Sequence, residues 1–229
     1  MPGIHARVLT CAVLIGLCTT AAAQDYPTKP VRLIIPFPPG GINDTVGRMI
    51  ATHLGARLGK QFVVDNRGGA GGTVGTELAA NAPKDGYTLL IVSLAHAVNP
   101  SLYKLVFDPI KSFAPIAIIA SAPNVVIVHP SLPVHSMTDL LALAKQQPGK
   151  LQYASAGVGS FMHLGGELFK LAAGVDLLHV PFKGAGPAMV DLPHSPPTVA
   201  CATSVTAPPH LRPGKLRALG LRASKRHPL

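Results

Sequence analysis

Cysteine is scarce in this 229-residue sequence, and two of its three cysteines, Cys11 and Cys18, lie in an N-terminal segment that we expect to be removed. Cys201 would then remain alone, so the mature chain could form no internal disulfide. The ten histidines show no HExxH-type spacing that would complete a zinc site. The sequence therefore predicts neither a metal nor another cofactor.

The first 23 residues have the pattern of a secretory signal peptide. A short positively charged N-terminal region ends at Arg7, an apolar run covers residues 8–19, and three alanines end at Ala23. This run is shorter than the roughly 20 residues that span a bilayer, and Leu17 is a poor match to the small residue expected before a lipidated cysteine. We predict cleavage after Ala23 and a periplasmic product; an uncleaved N-terminal anchor is the alternative.

Acidic residues are also few, with 10 Asp and Glu against 20 Lys and Arg. The excess of cations is concentrated at the C-terminus, where no acidic residue follows Asp191. Aromatic residues do not alternate with these cations, as they would in a protein that stacks single-stranded nucleic acid. The distribution of charge and the export signal together predict that nucleic acid is not a partner.

Apolar runs typical of strands alternate with amphipathic stretches typical of helices, which indicates an α/β fold with mostly parallel sheets. The first strand is expected at Val31–Ile35, and the helix after it should end at Gly59. That helix is expected to place Val46, Met49, Ile50, Leu54 and Leu58 on one face. Further strands are expected at 62–64, 87–92, 116–120, 125–128, 151–154 and 177–180. Helices are expected after the glycine-rich turn at 68–72 as far as residue 78, from 136 to 147 and from 160 to 173.

The pattern divides the chain into three parts. Residues 1–23 form the signal peptide, residues 24–122 a first α/β domain and residues 123–229 a second one. Two apolar runs around 116–120 and 125–128 interrupt the alternation of strand and helix. We interpret them as a crossing between the domains.

Two turns, residues 36–44 and 154–160, each join the end of a strand to the start of a helix. The free N–H groups and the dipole of a helix N-terminus favour anions, and glycine allows a ligand to approach the backbone. The same residues are equally compatible with ordinary turn and capping chemistry, with Asn43 and Ser160 as caps. The glycine spacing does not match nucleotide-binding motifs.

The chain resembles the Bug family of solute-binding receptors, which serve tripartite tricarboxylate transporters. The resemblance runs in order from Tyr26 to about Asp191 and resumes at Ala202. Its motifs are YPTKPVR at 26–32, PFPPGG at 36–41, VDNR at 64–67, DGYTLL at 85–90, NPSLY at 99–103 and HVPFKG at 179–184.

This resemblance implies a two-domain periplasmic binding protein of type II, a monomeric Venus flytrap that closes on an organic acid and delivers it to the membrane subunits of the transporter. Backbone amides and ordered water would hold the carboxylate, and Asp44 would bind the amine of an amino-acid ligand or orient water. The implied first wall comprises Phe37, Pro38, Gly40, Gly41, Asn43, Asp44, Ser93, Ala95, His96 and Asn99. The implied second wall comprises Ser155, Gly157, Gly159, Ser160, His163, Phe182, Lys183 and Gly184.

The sequence departs from the family in two places. Residues 193–201, PHSPPTVAC, stand where the family has a glycine-rich turn and a strand, and three prolines are unsuited to a central strand. We therefore expect irregular structure there, from compensating frameshifts or genuine divergence. The sequence ends at Leu229, before the family's returning hinge strand, so we expect a fold incomplete at the C-terminus that folds poorly and binds weakly.

Two other functions remain open from the sequence. An exported hydrolase could use Ser160 and His163 as nucleophile and base, although no GxSxG elbow accompanies them. A sensor subunit that presents its ligand to a signalling partner would use the same cleft.

Overall fold

A computed structural model describes residues 25–195 and 198–222, with the side chains of 221 and 222 excepted. The predicted signal peptide and the last seven residues lie outside the described residues. The strands form one three-stranded sheet and one five-stranded sheet. No helix in this part of the chain combines the length and apolarity needed to cross a membrane.

The first sheet is entirely parallel. Its strands are β1 (Val31–Ile35), β2 (Phe62–Asn66) and β3 (Thr88–Leu90), and β1 pairs with both of the others. The central strand is apolar and buried except at Arg32, which pairs with Asp65 of β2, because helices cover both faces of a parallel sheet. The sequence located all three strands, but β2 is longer and β3 shorter than expected.

The helices that accompany the first sheet are α1 (Ile42–Leu58), α2 (Thr73–Ala80) and α3 (Leu94–Leu102), with a 3-10 turn at Ala70–Gly72. As expected, α1 ends at Gly59, which takes the left-handed conformation with φ 68°. The expected apolar face is wrong in part, because Met49 is 57% exposed. Gly47 faces β1 instead, so close that a Cβ there would lie 2.5 Å from Cδ1 of Ile35.

The second sheet is mixed. Strands β4 (Asn124–Val128), β5 (Gln152–Ser155), β6 (Leu178–Pro181), β7 (Thr198–Thr203) and β8 (Arg217–Arg222) form it. Strand β5 runs parallel to β6 and β7, whereas β4 runs antiparallel to β7 and β8. Two apolar cores lie on opposite faces, since neighbouring residues such as Tyr153 and Ala154 point to opposite sides.

Five helical segments of the described residues accompany this sheet. They are α4 (Met137–Gln146), α5 (Phe161–Ala173), α6 (Ala185–Asp191), α7 (Pro208–Leu211) and a 3-10 turn at Leu192–His194. Ser136 caps α4 as the sequence predicted, and it forms a reciprocal capping box with Asp139.

The prediction of irregular structure at residues 193–201 is wrong for its last four residues, which belong to strand β7. All six residues from Thr198 to Thr203 are buried at the centre of the sheet. The prolines precede this strand, with Pro193 in the 3-10 turn, so none of them removes a donor from its ladder.

The expected strand at residues 116–120 is also wrong. These residues have no regular secondary structure, and Ile118 is 95% exposed. A strand needs a hydrogen-bonded neighbour, and none of the strands in the described part of the chain pairs with this run.

Candidate functional site

The two sheets turn the carboxyl ends of several strands toward one another across a cleft of about 500 Å³, part of which is open to solvent. Strand–helix turns after β1, β5 and β6 contribute to its walls, as do the residues after β3 and β7. The lining residues are Phe37, Pro38, Gly41, Ile42, Asn43, Ser93, Ala156, Ser160, Phe161, Met162, Ala185, Thr203 and Thr206. None of these residues carries a charged side chain.

The N-terminus of α1 is the polar feature of the first wall. Its N-cap, Gly41, offers no side chain to the amides of the first turn. Those N–H groups have no acceptor within the helix, and Ile42 and Asn43 both line the cleft. The positive end of a 17-residue helix therefore opens onto an uncharged space, an arrangement that favours a bound anion.

Asp44, in the same first turn, is engaged in hydrogen bonds away from the cleft. Its carboxylate accepts from the Gly40 amide at 3.1 Å, from Nε of Arg48 at 3.0 and 3.1 Å, and from Nδ2 of Asn66 at 3.0 Å. Burial raises the pKa of this carboxyl, but the bonds from Arg48, Gly40 and Asn66 outweigh burial and leave the pKa below its ordinary value. Asp44 thus fixes the turn at Gly40, and its oxygens are already occupied by protein donors.

Ser160 begins α5 in the second wall. Its buried hydroxyl oxygen accepts the backbone N–H of His163 at 3.2 Å, the geometry of an N-cap. The imidazole of His163 does not contact this hydroxyl; its Nδ1 accepts the Gly159 amide at 3.3 Å. The geometry therefore forms no nucleophile–base pair from these two residues.

Removing this cap has a measurable expected cost. Ser160→Ala should lower the free energy of unfolding by about 1 kcal/mol, because the His163 amide loses its acceptor. Urea unfolding measures the change. Ser136→Ala, which uncaps α4 away from the cleft, serves as the matched control and should cost a similar amount. An undiminished stability in Ser160→Ala alone would contradict the capping role.

The two walls touch at their rims through glycines. A Cβ on Gly186 would lie 2.8 Å from the carbonyl oxygen of Pro39, and one on Gly184 would lie 3.0 Å from Cγ of Pro38. A second contact lies on the other side, where the Tyr103 hydroxyl donates to the Val158 carbonyl at 3.1 Å. Such distances leave no room for side chains at the glycine positions.

The structure brings part of the predicted set into the cleft. Phe37, Pro38, Gly41, Asn43, Ser93 and Ser160 line it. Ala95, His96 and Asn99 instead border a smaller neighbouring cavity, where Nε2 of His96 contacts the Pro109 carbonyl at 2.8 Å.

The remaining predicted residues surround the cleft without lining it. Asn99 is 3% exposed, and its Oδ1 has no partner within the described residues. Phe182 packs against one of the two apolar cores of the second sheet, and Lys183 is exposed. Ser155, Gly157, Gly159 and His163 belong to the hydrogen-bonded turn between β5 and α5, while Gly40 and Gly184 belong to the rims.

Sequence reasoning missed seven lining residues: Ile42, Ala156, Phe161, Met162, Ala185, Thr203 and Thr206. Ile42 and Ala156 lie within the two predicted turns, and Phe161, Met162 and Ala185 could have been found by extending a turn into its helix. Thr203 and Thr206, whose hydroxyl oxygens lie 3.0 Å apart, were not distinguishable, because the segment before them was expected to be irregular.

Comparisons with known proteins agree with this architecture. Residues 46–228 match a family described as "Tripartite tricarboxylate transporter family receptor". The chain is 37% identical over 214 residues to Protein BugT of Bordetella pertussis, an alignment that covers 92% of this chain and 66% of BugT.

Two solved structures of Rhodopseudomonas palustris proteins superpose closely on the fold. Rpa4515 with adipate is 38% identical to this chain, with a TM-score of 0.84. The match covers 88% of this chain and 68% of Rpa4515. MatC with bound malate is 32% identical with a TM-score of 0.82, and covers 88% and 69% respectively. The chain thus spans about two thirds of the length of these proteins.

Proposed function

The chain belongs to the family of tripartite tricarboxylate transporter receptors, and from that membership we propose that it captures a small organic acid or an acidic amino acid in the periplasm. Residues 1–23 would direct its export, and domains 24–122 and 123–229 would form the two walls. The membrane subunits of a tripartite tricarboxylate transporter would receive the ligand.

The observation that carries this proposal is the uncapped N-terminus of α1 at an uncharged cleft. A carboxylate there would accept hydrogen bonds from first-turn amides around Ile42 and Asn43. Because the lining formed by the described residues contains no Lys or Arg, backbone donors and hydroxyls would supply the polar contacts.

The rest of the cleft suits the carbon skeleton of such an acid. Phe37, Phe161 and Met162 give it an apolar surface, and the hydroxyls of Thr203 and Thr206 add a polar patch. The related proteins crystallised with adipate and malate hold dicarboxylates, which combine an aliphatic centre with polar ends. The proposal is binding without turnover, since Ser160 acts as a helix cap.

Calorimetric titration of the purified chain with malate, adipate, glutamate and benzoate tests the proposal. We expect one of these acids to bind one-to-one, although weakly, and to raise the melting temperature, because a ligand specific for the folded state stabilises it. The variant Gly186→Val should bind that acid at least about tenfold more weakly, since its Cβ would displace the Pro39 carbonyl and part the rims.

The control is Gly55→Ala on α1, where the nearest non-neighbouring atom to a new Cβ is 3.4 Å away and binding should be unchanged. Absence of binding or stabilisation by all four acids would contradict the proposed function. Full affinity in Gly186→Val would contradict the role of the closed rims.

A further inference from the structure

Two histidines lie behind the turn that joins β5 to α5 and forms part of the second wall. The ring centroids of His163 and His179 are 4.5 Å apart, and Tyr153 stacks on His179 at 4.7 Å. Both imidazoles are partly buried, and neither lines the cleft. One nitrogen of each ring is directed to the turn.

Each histidine is linked to one glycine of the turn. Nδ1 of His163 accepts the Gly159 amide at 3.3 Å. Nε2 of His179 lies 2.6 Å from Oγ of Ser155, which itself accepts the Gly157 amide at 3.1 Å. The Ser155 hydroxyl can donate to or accept from His179, so this link tolerates either tautomer. The hydrogen bond from the Gly159 amide requires one tautomer, because Nδ1 of His163 must carry a lone pair to accept it.

The surroundings favour the uncharged imidazoles. Burial lowers the pKa of His163, with a smaller lowering from Lys170 and an opposing rise from Glu167. Burial is also the largest cause of the lowered pKa of His179, and the neighbouring His163 lowers it further. Protonation of both rings would place like charges side by side.

The other titratable groups around the pair do not reverse this preference. Glu167 is bound by the Tyr153 hydroxyl and by Nζ of Lys170 at 3.3 Å, so its charge is already compensated. Lys170 also lies 3.8 Å from Asp176. Burial raises the pKa of Tyr153, and it raises the pKa of the Cys201 thiol on β7 to about 11, so both stay neutral.

We propose that His163, supported by His179, is a positioning residue for the ligand: its neutral imidazole holds the turn at Gly159, and proton uptake loosens that wall and weakens capture in acid. The turn leads directly into Ser160 and Phe161, which line the cleft. A protonated Nδ1 would present an N–H to the Gly159 N–H, and the bond would be lost. The ligand part of this inference rests on the proposed function.

The direction of the pH effect follows from the lowered pKa. The ordinary pKa of histidine is 6.5, and that of His163 in the ordered turn is lower. As the pH falls below 6.5, His163 is therefore protonated first in chains whose turn is loosened or unfolded. Order in the turn is therefore favoured above pH 6.5 and is progressively lost as the pH falls through the lowered pKa of the pair.

His163→Asn provides the test, because Oδ1 of asparagine can accept the Gly159 amide from nearly the same position and does not titrate. With malate as the probe, the wild-type Kd should rise between pH 7.5 and pH 5 by about fivefold to tenfold more than that of the variant. Ionisation of malate affects both proteins equally and cancels in the ratio. His53→Asn, which removes an exposed histidine on α1, should follow the wild type.

A ligand-free measurement separates this inference from the proposed function. The amide resonance of Gly159 in nitrogen–proton NMR spectra should shift with pH in the wild type and stay constant in His163→Asn. If malate binds at no pH, that resonance still decides the positioning role. A wild-type pH dependence of Kd in His163→Asn, or a Gly159 resonance that does not respond between pH 7.5 and 5, would overturn the inference.

Discussion

Asp44→Ala should lower the free energy of unfolding by about 2–3 kcal/mol. The substitution removes a buried carboxylate that accepts from the Gly40 amide, the Asn66 side chain and Arg48. Three donors, one of them charged, would lose a shared buried acceptor, which costs more than a single hydrogen bond contributes. Because Gly40 lies on the rim, we expect weaker ligand binding as well. Urea unfolding and calorimetry measure the two effects.

The pH dependence of the same carboxylate gives a second measure of this effect. Its pKa is below 3.8, so its stabilisation is complete above that pH, and it is lost as the pH falls through the lowered value. The variant should lack this part of the acid destabilisation. Arg48→Ala is the control and should cost less, since Arg48 is 55% exposed and solvent screens its charge. If both variants lost the same free energy of unfolding, the stabilisation would come from the Asp44–Arg48 ion pair and not from the hydrogen bonds of Asp44 to Gly40 and Asn66.

Gly166→Ala should lower the free energy of unfolding by about 2–3 kcal/mol, although alanine is the better helix former. A Cβ at this position would lie 2.4 Å from Cε2 and 2.6 Å from Cδ2 of Tyr153. That ring is 1% exposed, stacks on His179 and binds Glu167, so it has little freedom to move away. Thermal unfolding should show a melting temperature lower by roughly 5–10 °C.

Gly55→Ala tests whether this loss comes from the Tyr153 contact. The nearest atom to a Cβ at Gly55 is the Lys60 carbonyl oxygen at 3.4 Å, an ordinary contact distance. That variant should be neutral or more stable by up to about 1 kcal/mol. A neutral Gly166→Ala variant would mean that α5 can shift on the sheet, which would contradict tight packing at Tyr153.

Local signals in the sequence predicted much of the fold. A short apolar run located β1, the glycine after α1 marked its end, and Ser136 and Ser160 marked the starts of two helices. Each of these features depends on residues within one turn or one strand. The sequence could therefore specify them without knowledge of distant contacts.

The failures depend on contacts between distant segments. The apolar run at 116–120 lacked a pairing strand, whereas 198–203 became a central strand between β4 and β5 despite the prolines before it. In the candidate site, the turn residues were predictable from glycine and cap patterns. The hydrogen bond from Asn66 to Asp44 was not predictable, because Asp44 lies on α1 and Asn66 ends β2, 22 positions away.

The glycine contact between the rims has a consequence for redesign. Main-chain atoms of Pro39 and Gly40 meet Gly186 at the mouth, whereas side chains such as Phe161 and Thr206 define the interior. In the proposed receptor, the contacts that close the cleft and those that select the ligand would therefore lie at different positions. A biosensor for another acid could be sought by varying the interior alone, with the rim contacts left as they are.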